Sequence, residues 1–196
     1  MNAPDALNAH GFRRLHDFEA ARQAWPRGQQ PELARKAAES FRARFKPAGT
    51  VQGVMSVDLV AAGYPAGFAF HNAAFPLNPF LAICNRLVLI RFKDFTGRSR
   101  LLAWEPTIPE NSAKAPFYQH LIKTFGEYLS NSVFKTEFHS MEQALAKAGV
   151  KAEDVDYFAF DHLHVQEVRG LLGTKDGSIK PVFPNAKMIA QPRELD

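Results

Sequence analysis

The spacing of apolar residues changes near residue 50, and the change divides the chain into a helical part and a part with predicted strands. In the first part, apolar side chains recur at every third or fourth position: Phe12, Leu15 and Phe18, then Leu33, Ala37, Phe41 and Phe45. This period predicts helices over residues 12–25 and from Pro31 onward, because it gathers apolar side chains on one face. Proline also suits a first helical position. We therefore predict a helical N-terminal extension over residues 1–48.

From residue 49 onward, apolar runs alternate with segments rich in glycine, proline and asparagine, as is typical of strands and turns. The runs predict strands over residues 51–60, 68–70, 83–93, 99–104, 157–160 and 182–189. Between them, apolar spacing predicts a helix over residues 115–129. A capping pattern from Ser140 to Gln143 begins another helix, which Gly149 ends. This mixture predicts an α/β fold for residues 49–196.

Composition and charge narrow the class of protein. A chain of 196 residues, 46% of them hydrophobic, is long enough to bury a sizeable core. The net charge of +4 is modest, so we expect no nucleic-acid partner. The single cysteine, Cys84, fits a reducing compartment. No apolar run approaches the roughly 20 residues of a membrane helix, and charged residues interrupt the N-terminus. We therefore expect a cytoplasmic protein without membrane attachment.

Candidate chemistry lies directly after the predicted strand over residues 157–160. His162 and His164 are separated by one residue. On an extended backbone, side chains two positions apart point roughly the same way. Both imidazoles could therefore be aimed at one point beyond the strand end, where ligands bind in open α/β sheets. Asp161 precedes the pair, and Gln166 and Glu167 follow it, ahead of a predicted helix that contains Gly170.

This stretch resembles the metal-binding segment of the metallo-β-lactamase superfamily, which reads Thr-His-x-His-x-Asp-His-x-x-Gly. Residues 161–170 read Asp-His-Leu-His-Val-Gln-Glu-Val-Arg-Gly. Both leading histidines and the glycine match, whereas Gln166 and Glu167 replace the aspartate and the third histidine. The flanks match as well: residues 148–156 resemble the family's lead-in, and residues 182–186, Val-Phe-Pro-Asn-Ala, resemble the strand that follows the motif helix. Residues 97–103 resemble the return strand of the family's early hairpin, with Trp104 or Glu105 where an aspartate often stands.

The resemblance implies the first half of an α/β/β/α sandwich and a metal-dependent hydrolase. The implied substrates are small molecules with an ester, thioester, lactone, amide or phosphodiester bond. Zinc, or another divalent metal such as iron or manganese, would be held by His162, His164 and Glu167. Gln166 carries no charge, so it cannot help to hold a second ion. Asp161 would orient a histidine or act as a ligand itself.

The family's domain has two similar halves, and only the first is recognised here. We therefore expect a second half-domain, a partner chain or another copy to cover the apolar face, because soluble monomers avoid large exposed apolar patches. By itself the 196-residue chain should have no hydrolase activity, since three ligands cannot build the family's dinuclear centre. The alternative is a non-catalytic relative that serves as a binding or structural module. In it, both histidines are structural and Glu167 interacts with the helix dipole.

Overall fold

The computed structural model describes residues 12, 15–45, 51–71, 73, 75, 77–112, 114, 116–127, 135–163 and 168–191. The chain forms two compact units: Met1–Gln52 with Lys93–Ser99, and Gly53–Phe92 with Arg100–Asp196. The boundary predicted at residues 48 and 49, between extension and domain, stays a prediction. Among the described residues, no helix is both long enough and apolar enough to cross a membrane.

The described residues of the first unit form helices α1 (Glu19–Gln23) and α2 (Gln30–Arg44), with a 3₁₀ turn at Arg27–Gln29 between them. Pro31 lies in the first turn of α2, as its lack of an amide hydrogen favours. Phe41 lies 5.9 Å from Phe18 and 5.3 Å from Phe45 between ring centroids, which accounts for the apolar spacing. The predicted helix over residues 12–25 is shorter in the structure, because residues 15–18 form coil and a turn.

Six strands form one mixed sheet in the order β4-β1-β2-β3-β5-β6. The strands are β1 (Val51–Pro65), β2 (Phe80–Lys93), β3 (Ser99–Trp104), β4 (Lys135–Glu137), β5 (Tyr157–Ala159) and β6 (Lys187–Ile189). The helices that accompany them are α3 (Ala66–Ala69), α4 (Pro109–Ser112), α5 (Pro116–Phe125), α6 (Met141–Lys147) and α7 (Arg169–Leu172), with a 3₁₀ turn at Ala152–Asp154. This architecture confirms the α/β class expected from the sequence.

Strand direction determines where a site can form in this sheet. β1 runs antiparallel to β4, with Val60 opposite Glu137. By contrast, β5 runs parallel to β3 on one side and to β6 on the other, with Tyr157 opposite both Leu102 and Lys187. The carboxyl ends of β3, β5 and β6 therefore share one edge of the sheet, the usual position of ligand sites in parallel sheets.

The hydrophobic core is built on the alternating positions of the strands. Inward-facing side chains are buried while their neighbours are only partly so, as the two-residue period of a strand requires. The buried strand residues include Val57, Leu59, Leu87, Leu89, Leu101, Ala103 and Phe158. Helix α6 adds Met141, Ala144 and Leu145 to this core. The predicted capping box at its start is present: Ser140 Oγ accepts the Gln143 amide and Gln143 Oε1 accepts the Ser140 amide.

Two strand predictions are wrong, and the backbone hydrogen bonds show why. Residues 68–70 do not pair with β1. Their segment forms α3, in which the Phe70 amide donates to the Ala66 carbonyl at 2.9 Å. Of the strand predicted over residues 182–189, only β6 forms. The Val182 amide donates instead to the Gly170 carbonyl at 3.0 Å, and a turn follows. Amides used in this way cannot join a sheet ladder.

Candidate metal-binding site

The loop that carries the motif begins at the end of β5. All three residues of β5 are buried, as is Phe160, but Asp161 and His162 are exposed. Because β5 is packed between two parallel strands and ends at the carboxyl edge of the sheet, the first histidine lies at the surface at that edge. The Glu105 amide donates to the Ala159 carbonyl at 2.9 Å. This bond holds the end of β3 beside the start of the loop.

Asp161 organises the described part of this loop. Its Oδ1 accepts the backbone amide of His162 at 2.7 Å and lies 2.8 Å from His162 Nδ1. Because a carboxylate oxygen accepts, Nδ1 is the donor in that contact. A metal-ligating histidine usually holds its second ring nitrogen on a carboxylate in this way, which sets its tautomer and orientation. The pair at Asp161 and His162 therefore fits a site in which Nε2 faces an ion.

Glu105 links the two parallel strands at the same edge. It follows β3 directly, and its Oε1 accepts the Asp161 amide at 2.5 Å. Its φ of +57° places it in the left-handed region, which is uncommon for a residue with a side chain and costs backbone energy. Glu105 lies outside the motif, so a search for ligands within the motif does not find it. The available signal was its position, because the resemblance puts Trp104 or Glu105 where the family often has an aspartate.

The two carboxyl groups differ in their affinity for protons. Burial raises the pKa of Glu105 to about 7, and the negative charge of Asp161 adds to the effect. Burial would also raise the pKa of Asp161, but hydrogen bonds with Glu105 and His162 together hold it below its usual range. Glu105 is therefore the weaker acid of the two, and Asp161, beside the imidazole, is the stronger one.

The structure locates only one of the three predicted ligands. His162 is described, whereas His164, Gln166 and Glu167 lie outside the described residues. Helix α7 begins just after them, with Gly170 buried as a close-packed helical glycine should be. Within the described residues, no group of three or more His, Cys, Asp or Glu side chains is arranged to hold an ion. The complete ligand set stays a prediction.

Comparison with known proteins gives structural likeness without sequence likeness. No model of a known protein family matches the chain. No curated protein matches it either. A probable metal-dependent hydrolase from Staphylococcus aureus aligns with 75% of this chain and 49% of its own, at 15% identity and a TM-score of 0.46. The dizinc quorum-quenching lactonase AidC aligns with 72% of this chain and 42% of its own, at 13% identity and a TM-score of 0.41.

A third solved structure, the hydrolase AbOPH in the beta lactamase superfamily, aligns with 76% of this chain and 47% of its own. Its sequence identity is 15% and its TM-score is 0.34. The chain thus spans about half the length of these three structures or somewhat less. What the described residues themselves show is a mixed α/β fold, with a carboxylate-supported histidine at the carboxyl edge of its parallel strands.

Proposed function

We propose that this chain is the first half of a metal-dependent hydrolase of the metallo-β-lactamase type. The observation that carries the proposal is the contact between His162 and Asp161, located where β5 ends. A histidine held on a carboxylate at the carboxyl edge of parallel strands is typical of a metal ligand. The proposed substrates of the complete protein are small molecules with an ester, thioester, lactone, amide or phosphodiester bond.

The proposed ligands are His162, His164 and Glu167. Two imidazoles and one carboxylate are a donor set found in mononuclear catalytic zinc sites, which keep a further position open. We therefore propose zinc, with iron or manganese as alternatives of the same charge. When bound, such an ion supplies Lewis acidity and lowers the pKa of water to about 7. Gln166, which is uncharged, contributes no second centre.

The chain's own residues would prepare this site. Asp161 holds Nδ1 of His162 and so fixes the direction of the imidazole. Glu105 accepts the Asp161 amide and so connects the loop to the end of β3. Because burial raises the pKa of Glu105 to about 7, this carboxyl group is only about half ionised at neutral pH. We assign both acids to positioning rather than to direct contact with substrate.

We further propose that a second half-domain completes the site and covers exposed apolar surface. Phe75 and Leu77 are fully exposed, and Phe80 and Ile83 on β2 are about half exposed. Exposed apolar side chains of this size, close together in sequence, favour burial against a partner. The proposal locates hydrolysis in the assembled protein rather than in these 196 residues, since the second half would supply further ligands and a wall of the substrate pocket.

The experiment is metal analysis of the purified chain with its His162→Ala variant. His120→Ala is the matched control, because His120 is an exposed histidine on α5 and is not part of the motif sequence. We expect zinc to remain after gel filtration in the parent chain and in the control, and to be lost in His162→Ala. Equal zinc content in all three proteins, or none in the parent chain, would refute the metal site.

The second candidate function is a non-catalytic relative that binds a partner or supports an assembly. It is favoured by one specific observation, the replacement of the motif aspartate by Gln166. Robust, chelator-sensitive turnover of an ester and phosphodiester panel by the complete protein would exclude it. Zinc binding without any turnover by the complete protein would instead support the module over the enzyme.

A further inference from the structure

A second polar site lies elsewhere on the sheet. It is a pocket of about 310 Å³, which we call the basic pocket, lined by Ser56, Val57, Asp58, Arg86, Phe138, His139 and Lys147. These residues come from β1, β2, the segment after β4 and the end of α6. In the sheet order, β1 is three strands from β5. At about 4.8 Å per strand, the pocket is therefore on the order of 14 Å from the motif strand.

His139 is held in one orientation between two partners. Its Nδ1 lies 2.8 Å from the Asp58 carbonyl oxygen, which only accepts, so Nδ1 donates. Its Nε2 lies 3.3 Å from Lys147 Nζ, which only donates, so Nε2 accepts. The neutral tautomer of the ring is thus set by its partners. The same contacts hold the Lys147 ammonium at the pocket, with two of its three hydrogens available to a ligand.

Arg86 supplies a second cation from the neighbouring strand. Its Nε donates to Asp58 Oδ1 at 2.5 Å, and the guanidinium also interacts with the Cys84 side chain. A guanidinium carries five N–H donors, so further donors are left for a ligand. The ion pair neutralises Asp58, so Lys147 remains as the uncompensated charge among the lining residues. Burial, together with the charge of Asp58, raises the pKa of the nearby Cys84 thiol. That thiol therefore stays neutral and adds no negative charge.

We propose that the basic pocket binds the phosphate group of a small phosphomonoester. A guanidinium matches the planar edge of a phosphate with two parallel hydrogen bonds, and an ammonium adds a point charge. The Ser56 hydroxyl adds a further donor type to the lining. Phe138, which is 47% exposed, offers an apolar surface for the organic part of the ester. The volume is at the lower end of the range of small-ligand sites.

Isothermal titration of the purified chain would measure binding with phenyl phosphate, inorganic phosphate and uncharged phenol as separate probes. We expect phenyl phosphate to bind more tightly than inorganic phosphate, and phenol not to bind. Lys147→Gln and Arg86→Gln should each weaken phenyl phosphate binding by about tenfold or more, since hydrogen bonds to charged groups have that magnitude. Arg86→Lys should weaken it less, because it keeps the charge.

Lys123→Gln is the matched control, since Lys123 is an exposed lysine on α5 outside the pocket. Lys147 and Arg86 are exposed too, so these variants should keep the parent's thermal unfolding midpoint, which is measured alongside. Lack of phenyl phosphate binding would overturn the proposal, and so would equal loss of affinity in the Lys123 control. Inorganic phosphate binding as tightly as phenyl phosphate would overturn the ester assignment. None of these three results bears on metal retention at His162.

Discussion

Removal of the Glu105 carboxyl group is the perturbation that most directly tests the organisation of the motif loop. Glu105→Ala deletes the acceptor of the Asp161 amide, which lies 2.5 Å from Glu105 Oε1. Asp161 in turn holds the imidazole of His162. Without the hydrogen bond between Glu105 and the Asp161 amide, the loop becomes ordered only when an ion binds. The free energy of that ordering lowers the affinity for metal. The cost should therefore appear as weaker zinc binding.

The magnitude follows from the kind of bond that is lost. A hydrogen bond contributes about 0.5–1.5 kcal/mol between neutral groups and about 1.5–3 kcal/mol when one group is charged. Glu105, with a pKa of about 7, is about half ionised at neutral pH. Asp161 is exposed, so water partly replaces the missing acceptor, and a loss of about 1.4 kcal/mol, which is tenfold in affinity, follows. We expect Glu105→Ala to weaken zinc binding by about tenfold, in line with other residues that support metal ligands. Glu105→Gln keeps an oxygen acceptor and should lose less than half of that effect.

The assay is competition for zinc between the purified chain and a chromophoric chelator at neutral pH. Glu110→Ala is the matched control, because Glu110 is an exposed glutamate in α4. The reasoning is refuted if Glu105→Ala binds zinc within twofold of the parent chain, or if Glu110→Ala shows the same loss. A loss in Glu105→Gln as large as that in Glu105→Ala would show that charge, rather than the hydrogen bond, is what matters.

Three further predictions concern stability. Phe158 is fully buried and contacts Phe160 and Phe183, so Phe158→Ala should cost about 3–5 kcal/mol in urea unfolding; a cost below 1 kcal/mol would contradict this packing. Ser140→Ala removes the cap of α6 and should cost about 1 kcal/mol by the same assay, whereas Ser140→Asp should retain most of the stability. The Thr174 hydroxyl and the Ser178 amide and hydroxyl lower the pKa of Asp176 to about 2. The ionised Asp176 side chain therefore stabilises the folded protein above a pH of about 4, and this stabilisation is lost as the pH falls toward 2. The loss of stability caused by Asp176→Asn should therefore shrink between pH 6 and pH 2.5. A loss that stays constant over this range would contradict the prediction.

Several elements could be predicted from the sequence because their signals act over a few residues. The proline in the first turn of α2 and the capping box of α6 depend on local backbone chemistry, and both are present. The strand over residues 157–160 also formed, with Tyr157–Ala159 in the sheet and Phe160 buried beside it. An apolar run of that length has few other stable environments. The same apolar run predicted the position of His162 at the end of a strand.

Contacts between residues that are far apart in sequence were determined by the tertiary structure alone. Glu105 and Asp161 are 56 positions apart, and they meet because β3 and β5 are parallel neighbours. His139 and Asp58 are 81 positions apart, and their contact depends on β4 pairing with β1. No local pattern specifies which distant strands become neighbours or in which register, because the whole core selects that pairing. For the same reason, the segment after β1 became α3, and the motif acquired a glutamate partner that its own residues did not reveal.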